Sequence, residues 1–451
     1  MPLGAFRLKK RILVLVALLW AGLNLVSCGG YNSPRKNRVL ASQGVTSTFS
    51  LGGLVFIDGS NDTLARVSSL SAGSSPGLMA LSPTRNIVAA FDASSNSVYA
   101  IDTAKETGLG NVHLPGPTSS MVFPTATGIG YAAIPTATVN GFSILGAVDV
   151  MNFSTGVLTT IAVSNAQTVV SDSTGTQLLV FSNDSDSISV LSPANAVPPV
   201  DTSCSTAPNT VCAIVAEPEG SRPVYAIVNG STAYILNCGY ECGVTTSGTH
   251  VLPSVAVLDL PSLTITSTVN VTGATYGLLN GTRLYVAGNG TPTGPLCSSI
   301  ASAATTAATY CGTLDIVDVG TMTDPYFQNP STEIAIPDGY HDRMDMTVNG
   351  QIFVGSHDCT NIGNVSNPSG EVRGCLAIYK TTDNSVIFPP DNGDVNGLQG
   401  FTSRNIEYVA EGGSLRVYDT TKDILLINDF VPQGNIDIVG YVGDVKAIDF
   451  F

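Results

Sequence analysis

Tryptophan is almost missing from this 451-residue chain: the single one, Trp20, lies in an N-terminal segment whose pattern predicts removal. The body then has no indole to stack on a sugar ring, which leaves that task to tyrosine. Charged residues make up only 12% of the sequence, while Gly, Ser, Thr and Val abound. That balance suits β-structure with small-residue turns and disfavours a helical bundle or a disordered tail. There is no phosphate-binding Walker pattern and no convincing dinucleotide-binding glycine pattern. Only four histidines occur, and no His-Glu-x-x-His spacing among them.

What is present begins with a leader. Arg7, Lys9, Lys10 and Arg11 precede an uncharged apolar run from Ile12 to Trp20, followed by Leu25-Val26-Ser27-Cys28-Gly29. This is the order of a secretory signal, and the cysteine directly after Leu-x-Ser makes it resemble a bacterial lipoprotein signal. The resemblance implies that residues 1–27 are removed and that the Cys28 thiol carries lipid. Gly29, rather than Asp, after the cysteine favours the outer membrane. A plain spanning anchor is the competing reading, but the apolar run falls short of the ~20 residues that cross a bilayer. Residues 28–49, polar and without an apolar period, read as a flexible tether, and 50–451 as the body.

Removing the leader takes away four cations and no anions, leaving 15 Lys and Arg against 34 Asp and Glu, a charge of −19. Such a surface repels phosphate backbones and anionic headgroups, so nucleic acid is not an expected partner and membrane contact falls to the lipid. The eight remaining cysteines form four close pairs, Cys204 with Cys212, Cys238 with Cys242, Cys297 with Cys311 and Cys359 with Cys375. In a chain exported to an oxidising compartment, local bridges are the simplest pairing of the 105 available. A zinc site at Cys238 and Cys242 would need a second pair nearby at matching spacing.

The body repeats one phrase: a short apolar strand closed by an acidic turn residue. It reads Leu54 to Asp58, then Val98 to Asp102, Leu145 to Asp149, Ile188 to Ser192, Val255 to Asp259, Asp315 to Asp318, Leu376 to Lys380 and Leu415 to Asp419, with Ser192 and Lys380 replacing the Asp. An apolar partner strand precedes every copy but the first, as Ile87 to Phe91 precedes Val98. Two strand-like runs at the other end, Ile436 to Val439 and Val445 to Asp449, look like the missing partners. The sequence therefore predicts an all-β chain: a single β-propeller of eight four-stranded blades, with a closing blade shared between both termini. Seven blades is the alternative if the irregular stretch 193–223 hides a boundary, and a stacked solenoid is the open-ended one. Ser75-Pro76-Gly77 with Leu81-Ser82-Pro83, and Arg283-Leu284-Tyr285-Val286-Ala287-Gly288-Asn289, resemble the YVTN-type and surface-layer-like bacterial propeller repeats. The resemblance implies a fold far more firmly than a function.

Three consecutive second-to-third-strand connections are long, 237–253, 288–311 and 356–373; the first two hold a cysteine pair each, and the third holds Cys359, with Cys375 just beyond it. In a propeller these open on one rim, where binding surfaces usually lie; staples for long extracellular loops are the plainer reading. The expected function is an envelope-anchored, non-enzymatic binding or scaffolding lipoprotein that engages an envelope protein or extracellular ligand through this rim. One weaker chemical feature shares it. His341-Asp342 and His357-Asp358 each set an imidazole beside a carboxylate, as in metal ligation or general-base work, and carry the alternative of a metal-dependent hydrolase or lyase. Asn392, Asp394 and Asn396 place oxygen donors at calcium-loop spacing, although Ser403 stands where the bidentate Glu belongs. No cofactor is expected beyond these calcium or transition-metal readings.

Overall fold

The computed structural model describes residues 37–449 except 47–51, 126, 140, 193–210, 244, 247–248, 291–310, 328, 330–331, 360–374, 390–392, 429–430 and 432. These residues form eight antiparallel four-stranded sheets, seven of them with strands in sequence order from the centre outward, with a short fifth strand joining the last and two small two-stranded hairpins besides. Blade 2 is Pro76–Leu81, Ile87–Asp92, Ser97–Asp102 and Thr107–His113. Blade 3 is Ser120–Val122, Ile129–Ile134, Ala147–Asn152 and Val157–Ala162, and blade 4 is Ala166–Ser171, Leu178–Ser182, Ser187–Leu191 and Val211–Ala216. Blade 5 is Pro223–Asn229, Thr232–Asn237, Ser254–Asp259 and Thr264–Asn270, and blade 6 is Tyr276–Asn280, Arg283–Gly290, Cys311–Asp318 and Ala335–Ile336. Blade 7 is Tyr340–Met346, Gln351–His357, Leu376–Lys380 and Val386–Ile387; blade 8 is Val395–Gly400, Ile406–Glu411, Ser414–Asp419 and Ile424–Leu425. The first strands of successive blades touch one another around a closed circle. The eight-bladed propeller is thus present.

Burial on both faces explains the recurring apolar phrase. In Ile87–Asp92, Ile87, Ala89 and Phe91 pack against blade 3, whereas Val88 and Ala90 pack against blade 1. A strand covered on both sides has no polar face to alternate with. Each of the eight interfaces between neighbouring blades holds its own apolar cluster, so the core is a ring of sandwiches rather than one central mass.

The closing blade corrects two expectations. Its strands are Tyr441–Asp449, Asn37–Gly44, Gly53–Asp58 and Thr63–Leu70. One C-terminal strand crosses over, not two: Asn435–Ile436 stays with blade 8, pairing with Ser414–Asp419. The partner of Leu54 is Asn37–Gly44, which lies inside the span read as a tether. Its core is the buried Val39-Leu40-Ala41, and the neighbouring Arg38, whose charge suggested solvent, is 3% exposed and pairs with Glu106 of blade 2 at 2.5 Å. The third repeat copy is also displaced: the strand runs Ala147–Asn152, with Asp149 buried mid-strand and Asn152 at the turn.

Candidate functional site: the channel mouth

The innermost strands enclose a central channel of about 470 Å³ that draws lining residues from all eight blades. Its most chemically loaded wall is blade 7. There a register shift between His341 and Arg343 interrupts the ladder, the kind of bulge that re-aims a side chain. Asp342 and Arg343 line the channel. His341 does not: it pairs with Ser356, whereas Tyr340 pairs with His357, and paired residues share a face. His341 is buried, its Nε2 bonds the Pro337 carbonyl at 2.8 Å, and burial pushes its pKa down to about 4. It is a neutral core histidine in the innermost strand, not a rim-loop residue.

His357 is the imidazole that meets a carboxylate. Its Nε2 lies 3.0 Å from Asp342 Oδ1, and its Nδ1 lies 4.0 Å from Asp394 Oδ2. The hydrogen bond to Asp342 outweighs burial and raises its pKa above the ordinary value. Asp342 also receives Arg343 Nη1 at 3.0 Å, and Arg343 Nε donates to the Asn396 carbonyl at 2.8 Å. With both ring nitrogens facing carboxylates, His357 is placed as a charge-paired donor rather than a free general base. Asp358 contributes its backbone N–H, which donates to Asp394 Oδ1 at 2.8 Å.

The histidine and calcium readings therefore converge on one place. Asp394 serves His357 and the Asp358 amide, Asn396 shares a 2.8 Å bond with the Tyr441 hydroxyl, and Asn392 lies outside the described residues. Among the described residues no three His, Cys, Asp or Glu side chains group as a metal site.

Cysteine staples fix the same rim. Cys238 bridges Cys242 and Cys359 bridges Cys375, each pair with Cα atoms 5.7 Å apart. Cys212 is disulfide-bonded; Cys28, Cys204 and Cys297 lie outside the described residues, as does the side chain of Cys311. The first staple closes the 3₁₀ turn Gly239–Cys242 and aims Glu241 across to blade 6, where its oxygens accept from Ala274 N at 3.0 Å and Asn289 N at 2.7 Å. Burial outweighs those donors and pushes the Glu241 carboxyl up to about 8. Asn289 then donates to Gly339 of the blade 6–7 connection at 2.7 Å. A belt of polar contacts thus runs from blade 5 through 6, 7 and 8 to Tyr441 of blade 1.

Several residues at this mouth escape sequence reading. Tyr225 and Tyr276 stack with centroids 4.6 Å apart, and Tyr340 stands beside them, all at the start of innermost strands in blades 5, 6 and 7. Aligning the strand before each apolar pair would have exposed that aromatic recurrence. On blade 3 the second-to-third connection carries a hairpin, Ala137–Val139 with Phe142–Ile144, and Phe142 and Leu145 beside it are each 74% exposed. Its signal was Asn140-Gly141, a tight-turn pair. One further pattern has no chemistry behind it. Gly73-Ser74-Ser75-Pro76-Gly77 fits the Gly-x-Ser-x-Gly spacing of a hydrolase elbow, but it leads into the strand Pro76–Leu81, and Ser75 N donates to Asp92 Oδ1 at 2.7 Å. A nucleophile elbow needs a strand-to-helix turn.

No protein-family model matches this sequence, and no curated protein matches it either. Solved structures do. Dihydro-heme d1 dehydrogenase NirN in complex with DHE superposes with a TM-score of 0.60 at 10% identity, over 92% of this chain and 75% of that one. The shared feature is the propeller. A putative 6-phosphogluconolactonase from Bacteroides fragilis NCTC 9343 gives a TM-score of 0.49 at 14% identity, covering 92% and 98% of the two chains. The periplasmic gluconolactonase PpgL of Pseudomonas aeruginosa gives 0.46 at 13%, covering 91% and 99%. At such identities the likeness is one of fold alone.

Proposed function

We propose that this chain is a lipid-anchored, non-enzymatic binding or scaffolding propeller of the bacterial cell envelope, held at the outer membrane through Cys28. Its partner is an envelope protein or extracellular ligand engaged on the rim formed by the second-to-third-strand connections. The observation that carries this reading is the pairing of projecting apolar side chains, Phe142 and Leu145, with a rim made rigid by two disulfides and the belt of polar contacts. A rigid surface loses little entropy on binding, and exposed apolar anchors are what a protein partner buries. The hydrolase or lyase alternative has less support, because His341 and His357 face opposite sides of their sheet and His357 is flanked by two carboxylates.

The test is capture from envelope extracts with the full-length, detergent-solubilised protein. Replacing Phe142 and Leu145 by Ser should lower the yield of a specific partner about tenfold or more while leaving the thermal transition in place. Equal capture by the double variant overturns the rim reading. For the anchor, Cys28→Ser should abolish incorporation of labelled fatty acid and release the protein from the membrane fraction.

A further inference from the structure

The central channel is not empty of design. Beside its mouth lies a smaller recess of about 180 Å³ between blades 4 and 5, and Gln167, Thr168, Val224 and Tyr340 line both spaces. Tyr340 is therefore the shared wall of two contiguous cavities. It is 51% exposed, while Tyr225 and Tyr276, which line the same channel, are more covered and stack on one another. An aromatic ring with an open face in a concave polar site is a stacking platform.

Most of the charges around it are matched in pairs; Asp345 of the channel instead accepts from Gly400 N at 2.7 Å and meets the Glu407 carboxyl, and Asp184 lines the recess. Arg343 and His357 share Asp342, Lys446 Nζ lies 3.0 Å from Asp444, and Arg222 of the recess sits 3.9 Å from Asp186. An anion would have to displace a resident carboxylate. Across the channel from Tyr340 the wall is neutral and bifunctional: Gln167 and Ser119 bond each other at 3.2 Å, and Thr168 and Ser120 stand next to them. Amides and hydroxyls both donate and accept, and so suit a ligand that does the same at many positions. The combined space falls within the ~300–1,000 Å³ usual for small-molecule sites.

We infer that the channel mouth binds a short neutral saccharide, with Tyr340 stacking on a sugar ring and Gln167 hydrogen-bonding its hydroxyls from the facing wall. This site is separate from the apolar hairpin on blade 3 and does not depend on a protein partner.

Calorimetry on the full-length protein in a non-glycosidic detergent tests it, with maltotriose, cellotriose, mannotriose and N,N′-diacetylchitobiose as probes and glucuronic acid as the charged control. At least one neutral probe should bind with a Kd of about 1 mM or tighter. For that probe, Tyr340→Ala should weaken binding about tenfold or more, and Tyr340→Phe should stay within about twofold. Gln167→Ala is the second variant, expected to weaken binding about fivefold even if Tyr340→Ala fails to fold. The inference is overturned if all four neutral probes fail to bind at about 1 mM, if glucuronic acid alone binds, or if the folded variants bind as tightly as the parent.

Discussion

Asp149 shows how one residue can mislead a reader of the sequence and still be informative about stability. It lies mid-strand in blade 3, fully buried, and burial pushes its carboxyl up to about 6, with Thr160 across the ladder easing the shift. Because the folded value lies above the ordinary 3.8, its stabilising share is complete below about pH 4 and is lost as pH rises through 6. Asp149→Asn should therefore raise stability at pH 7, by up to about 3 kcal/mol, and flatten the dependence between pH 4 and 6. Urea denaturation of both proteins across that range checks it; a variant with the parent's slope would place the titrating group elsewhere. In the sequence this residue passed for the acidic close of a repeat phrase, because type and local spacing fit while burial is invisible in one dimension.

At the next scale, the strand and its turn were legible because each carries its own physics. The Asp or Asn that ends the third strand accepts backbone N–H groups from the turn it opens: Asp102 from Ala104 and Lys105, Asn152 from Ser154 and Thr155, Asp318 from Gly320 and Thr321. Four residues later the backbone turns left-handed, at Glu106, Gly156, Leu263, Met322, Asn384 and Asp423 among others. Only one of those six is glycine, so no glycine signal marks the turn and the Asx bonds have to hold it. The rim was legible in outline, since cysteine pairs name their loops, but not in chemistry. Nothing in the order of residues says that His357 rather than His341 meets Asp342, because a bulge decides it. The staples themselves should differ in worth. Cys359 and Cys375 are 16 apart and Cys238 and Cys242 only 4. By loop closure the double Ser variant of the first pair should lose about 3 kcal/mol and that of the second about 2. Denaturation of each variant against the parent measures both, and a larger loss from the shorter loop would mean that positioning Glu241 matters more than chain entropy.

The whole molecule is closed by a seam between its two ends. Tyr441–Asp449 pairs antiparallel with Asn37–Gly44 over its length, from Asn37 opposite Asp449 to Gly44 opposite Tyr441, and presents Asp444 to the amide of Met79 in blade 2 at 2.8 Å. The existence of this seam was readable, because the first apolar phrase had no partner and spare strands remained at the far end. Its division was not: Asn37–Gly44 hides three apolar residues among Arg38, Ser42 and Gln43, all of them buried here against expectation. Both sides of the seam line neighbouring apolar clusters, Val442, Val445 and Ala447 with blade 8 and Leu40 and Ile448 with blade 2. Removing 440–451 would leave the edge of Asn37–Gly44 unpaired and uncover two interfaces at once, a far larger loss than the ~5–15 kcal/mol of stability a domain holds. The truncated chain should therefore fail to give a cooperative thermal transition or should associate through the open edge. Adding the peptide 440–451 in trans should restore a monomer with the parent's transition. A truncated protein that stays monomeric and melts like the parent would show that the seven complete blades hold the ring without their latch.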